Sequence, residues 1–70
     1  MVDGSLVEKV VEVFSRRTRN PEVFEKIRSA GRVIGDIEDF YHYVIGLAWN
    51  YSIPLTPRDV GDIRRILGLL

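Results

Sequence analysis

Four short helices folded into one all-α bundle, with no strand, is the architecture that three features of this 70-residue chain point to. Apolar residues recur at helical spacing in four separate stretches. Cap residues stand in front of those stretches, two of them followed at once by proline. The hydrophobic fraction is 46%, with one Trp, three Tyr and three Phe, a composition well clear of the apolar-poor regime of disorder. The length allows one domain, residues 1–70, because a second core needs roughly 50 residues of its own.

The first helix is expected over about residues 6–18. Leu6, Val7, Val10, Val11, Val13 and Phe14 cover one face, and Glu8, Lys9, Glu12 and Arg16 fall opposite. Ser5 with Glu8 has the S-x-x-E spacing of a capping box. The four valines favour strand by β-branching, but strict alternation breaks at Val10-Val11 and at Val13-Phe14. A second helix, 21–33, starts at Asn20-Pro21, where proline has no amide hydrogen to lose. Val23, Phe24, Ile27, Ala30 and Ile34 line one side of it, and Glu22 with Lys26 forms an i,i+4 pair on the other. Either Gly31 or Gly35 can supply the left-handed residue that stops it, between Ala30 and Ile34.

Asp36 caps the third helix, 37–50, whose stripe of Ile37, Phe40, Tyr41, Val44, Ala48 and Tyr51 is the strongest in the chain. The fourth, 57–67, opens on Thr56-Pro57-Arg58-Asp59, a cap, a first-position proline and an acidic third residue. Leu55 and Val60 have the spacing of a hydrophobic staple. Val60, Ile63, Ile66 and Leu67 turn inward, Arg58, Asp62 and Arg65 outward, and Gly68 ends the helix.

The third helix is apolar nearly all round. Beyond its core stripe, Ile45 and Trp49 lie with Glu38 and His42 on one flank, and Tyr43 with Leu47 on the other. Such a helix is either the central one of the bundle or covered by a partner. It is expected to be central, with Tyr43, Ile45, Leu47 and Trp49, together with the terminal Leu69 and Leu70, as contact residues. Trp and Tyr are favoured anchors of protein interfaces. A domain this small, with no Cys for disulfides or zinc, gains from association. A small non-enzymatic interaction module, a homodimer or an adaptor in a larger complex, is the function expected.

Nucleic-acid binding is the alternative. Arg16, Arg17 and Arg19 form the one dense basic cluster, and Arg28 and Arg32 extend it if the first two helices make a hairpin. Ten basic against ten acidic residues leave no net charge, so the field that gathers a polyanion is missing. Arg16 and Arg17 are then expected to satisfy the carboxyl end of the first helix and to pair with Glu12. The connection between the third and fourth helices is long for a helix-turn-helix.

No catalytic residue, metal site or cofactor is expected. His42 is the lone histidine, and its place one turn after Glu38 and Asp39 predicts a carboxylate hydrogen bond rather than a metal centre. Residues 1–9 lack the basic-then-apolar pattern of a signal peptide, and no run approaches the roughly 18 apolar residues of a membrane span, so a cytoplasmic setting is expected. Eight Arg, two Lys and no Gln point to a thermophile in the avoidance of labile residues and away from one in the scarcity of Lys.

Overall fold

Two proline-started helices and two started by an aspartate cap make up the computed structural model, which describes residues 1–70: α1 (Gly4–Ser15), α2 (Pro21–Val33), α3 (Ile37–Asn50) and α4 (Pro57–Ile66). There is no strand. α1 packs against α2 and α4, and α3 packs against the same two, so the helices close a ring with α1 and α3 on opposite sides. The core inside it is built on Phe14, Phe40, Ile27 and Ile63, with Val10, Val13, Val23 and Val44 between them. The radius of gyration, 10.6 Å, is close to the value of about 11 Å for a tightly packed chain of this length.

The central place expected for α3 is therefore not what the packing gives. α3 has two neighbouring helices, as α1 has, and its apolar flank is left outside the ring. Its stripe behaves as expected: Phe40, Val44 and Ala48 are buried, and Ile37, Tyr41 and Tyr51 are packed against the core.

The start of α1 also differs from the Ser5 capping box. Asp3 is the cap, its Oδ1 accepting hydrogen bonds from the Ser5 amide (2.8 Å) and the Ser5 hydroxyl (2.7 Å). Glu8, which the box requires, instead receives the guanidinium of Arg28 through Nε (2.8 Å) and Nη2 (3.1 Å). A tertiary partner has outcompeted a local one. At the other end α1 stops at Ser15 and not near Thr18, in a tightened turn in which the Arg16 amide reaches Val13 and the Arg17 amide reaches Phe14.

α2 begins as expected, Asn20 accepting the Glu22 amide at 2.9 Å, and ends inside the expected window. Neither glycine stops it. The chain leaves through Ile34 in an extended conformation, while Gly31 sits buried in the last turns against α1. A Cβ at Gly31 would lie 2.5 Å from Cγ2 of Val7, and the Gly31 carbonyl accepts the amide of Val2 (2.8 Å), which buries the Val2 side chain. Gly31 is the notch that lets α1 and α2 approach. The expected Glu22–Lys26 pair is also replaced: Glu22 accepts the hydroxyl of Tyr51, which carries α2 onto the end of α3 and raises the Tyr51 pKa.

Candidate functional site

Two local motifs, one ending α3 and one starting α4, build an apolar groove between these helices. At the end of α3 the Ser52 amide donates to Trp49 (3.2 Å) and the Ile53 amide to Ala48 (2.8 Å), the double bond of a Schellman stop. Ser52 supplies the left-handed residue, at φ 54°. The motif folds Ile53 back onto Ala48. Three residues later Thr56 and Asp59 form the capping box in full, the Asp59 amide on Thr56 Oγ1 at 3.1 Å and the Thr56 amide on Asp59 Oδ2 at 2.9 Å. Leu55 and Val60, the expected staple, come to the same side.

The groove, of ≈ 540 Å³, is lined by Ile45, Ala48 and Trp49 of α3, by Ile53 and Leu55 of the connection, and by Pro57 and Val60 of α4. None of the seven is charged. Trp49 stands at its edge, 81% exposed. Ile53 lies in a stretch without periodicity, so nothing in the sequence marks its part in the groove, whereas the Leu55–Val60 spacing marks only a helix start.

The expected contact residues divide. Ile45 and Trp49 meet in the groove. Tyr43 is 37% exposed on the opposite flank of α3, beside a second and more polar recess with Lys26, His42 and Asn50. Leu47, only 5% exposed, is part of the core and is lost as a contact residue. Leu69 is folded back onto the core, its amide on the Arg64 carbonyl (2.8 Å) and its carbonyl on Arg64 Nη2 (2.9 Å), while Leu70 is exposed.

The arginines of the nucleic-acid alternative are spent on ion pairs or kept apart. Arg17 reaches Asp59 through Nε (2.7 Å) and Nη2 (3.4 Å), and Arg16 Nη1 reaches both Asp59 (3.1 Å) and Asp62 (2.8 Å). These two therefore close α1 onto α4, and the pairing with Glu12 that was expected of them is not formed. Asp59 is 1% exposed and fully partnered, and the Arg17 guanidinium, followed by the Thr56 amide and Arg16, holds its carboxyl well below the usual carboxylate range. Arg28 is held by Glu8. Arg19 and Arg32 are left exposed at opposite ends of α2, about 20 Å apart along the helix.

His42 is exposed, its ring tilted against Tyr41 at 5.5 Å, and the carboxylate hydrogen bond expected with Glu38 or Asp39 is not formed. No group of three or more His, Asp or Glu side chains converges in the arrangement of a metal site. No helix is long and apolar enough to cross a membrane. No protein-family model, curated protein or solved structure matches the chain.

Proposed function

We propose that this chain is a small non-enzymatic protein–protein interaction module, working in the cytoplasm, whose contact surface is the groove between α3 and α4. The observation that carries the reading is Trp49: a large aromatic side chain, 81% exposed, beside an uncharged groove that no other part of the chain covers. Exposed Trp next to an apolar recess is the arrangement of an interface anchor, which gains its energy when a partner excludes water from both. That α3 has only two neighbouring helices, while its flank is apolar, supports the same reading.

A photoreactive phenylalanine analogue placed at position 49, irradiated in extract of the native host, tests the reading. A protein adduct of defined mass is expected, and it should disappear when Ile45 is changed to Asp in the same chain. Absence of any protein adduct, or an adduct pattern indifferent to Ile45→Asp, would overturn it.

A further inference from the structure

We infer that the polar recess between α2 and α3, on the flank of α3 opposite the groove, is a binding site for a small organic oxyanion, a phosphate or carboxylate group carried on an apolar body. The inference rests neither on the groove nor on a protein partner. The recess holds ≈ 420 Å³, within the range of about 300–1,000 Å³ for small-molecule sites. Lys26 lines it from α2, His42, Tyr43, Gly46, Leu47 and Asn50 line it from α3, and Tyr51 joins them from the C-terminal cap of α3.

The hydrogen-bonding groups decide the charge of the ligand. Lys26, His42, Tyr43 and Asn50 all carry N–H or O–H donors, and none of the four makes a side-chain hydrogen bond or an ion pair within the chain. No carboxylate lines the recess, since Glu22, Glu25, Glu38 and Asp39, the acids within one turn of its lining residues, all lie outside it. Lys26 is free for a specific reason. Glu22 stands four residues before it, the favourable order for a helical ion pair, yet accepts the Tyr51 hydroxyl instead. The negative end of α3 is closed as well, because the carbonyls of Leu47, Ala48 and Trp49 are taken by the amides of Tyr51, Ile53 and Ser52. An ammonium and three further donors around one recess, with no acid among them, is a set that recognises an anion.

The surface of α3 supplies the apolar half. Gly46 has His42 one turn before it and Asn50 one turn after it, so the three stand in one row along the helix. A Cβ at Gly46 would meet nothing within 4 Å, and the missing side chain leaves the row open between the two donors. Leu47, otherwise part of the core, lines the recess beside it, and the rings of Tyr43 and Tyr51 complete the lining. A ring or short hydrocarbon can lie on these carbon surfaces while its anionic group reaches Lys26.

Nuclear magnetic resonance shifts of the isotope-labelled full chain, titrated with phenyl phosphate, benzoate, inorganic phosphate and phenol at neutral pH, test the inference. Phenyl phosphate or benzoate should bind with a Kd of about 1 mM and move the resonances of residues 22–26 and 42–51 together, the tighter of the two naming the oxyanion. Inorganic phosphate, which has no apolar body, and phenol, which has no charge, should each bind about tenfold more weakly or worse. Lys26→Gln should weaken the binding about tenfold, and Gly46→Leu should abolish it with the helical circular dichroism intact. Tyr51→Phe returns Glu22 to Lys26 and should weaken the binding about twofold, and adding Glu22→Gln in the same chain should restore it. No shift at the recess up to about 20 mM of either ring-bearing anion would overturn the inference. So would shifts centred on Arg19 or Arg32, binding that Lys26→Gln leaves unchanged, or phenol or inorganic phosphate binding as tightly as the ring-bearing anions.

Discussion

Gly31 shows how much can hang on one missing methyl group. Its hydrogen faces Val7, a short and stiff side chain that cannot swing aside, at a place where a Cβ would stand 2.5 Å from Cγ2. Gly31→Ala gains about 1 kcal/mol in helix propensity and costs about 1–3 kcal/mol in overpacking. A net loss of about 1 kcal/mol is expected in urea denaturation. In a Val7→Ala background the same change should cost less or become stabilising, the sign of a direct contact between the two sites. The sequence announced a glycine near the end of α2, and a glycine there has two physical uses, a left-handed stop or a close approach. Only the position of Val7, 24 residues earlier in the chain and one helix away in space, decides between them. Leu47 is the converse case. Its place on the helical wheel allowed core or surface, and the choice was made by which two helices flank α3.

Whole helices were legible where their ends are written locally. Asn20-Pro21 and Thr56-Pro57-Arg58-Asp59 each hold cap, proline and apolar face within a few residues, and α2, α3 and α4 begin where these signals place them. α1 begins at Gly4, ahead of the expected start, because Asp3 caps it and Glu8, which the Ser5 box needs, is held by Arg28 of another helix. The end of α3 had no glycine to mark it. Ser52 adopts the left-handed conformation instead, which costs a side-chain-bearing residue about 1–2 kcal/mol. Ser52→Gly removes that strain and adds roughly 0.5–1 kcal/mol of chain entropy to lose. The expected result is a stabilisation of about 0.5 kcal/mol, a rise of a few degrees in melting temperature by calorimetry, with the groove unchanged. The groove residues Ile53 and Leu55 were harder to read than any helix, because they acquire a common surface only after two motifs have turned the chain.

At the scale of the whole molecule, the buried carboxylate of Asp59 joins the first helix to the last. It is ionised in the folded state far more readily than in the unfolded chain, where a carboxyl of this kind titrates near about pH 4. A depressed folded-state pKa gives stability that is fully present above the unfolded value. It is then lost as pH falls below that value and on through the folded one. The melting temperature should therefore hold steady from neutral pH to about pH 5 and fall steeply below about pH 4. Asp59→Asn should lower it by the equivalent of about 2 kcal/mol at neutral pH, since a cap and charge-assisted hydrogen bonds are weakened, and should flatten the acid limb. A titration followed by circular dichroism reads both effects. An acid limb just as steep in the variant would assign the effect to Asp3 or Glu8, whose carboxyls are also lowered, by Ser5 and by Arg28 respectively.

That same closure sets the order in which a growing chain can become a protein. α1 is made first, yet one of the two helices it rests on, and the carboxylate that Arg16 and Arg17 grip, arrive 42 or more residues later. A nascent chain that has reached α2 has one flank of α1 covered and the other bare, and the valines on it are residues that pair readily as strands. The vulnerable moment for this molecule is thus synthesis, when an incomplete ring shows its neighbours on the same messenger an apolar surface that the finished fold hides.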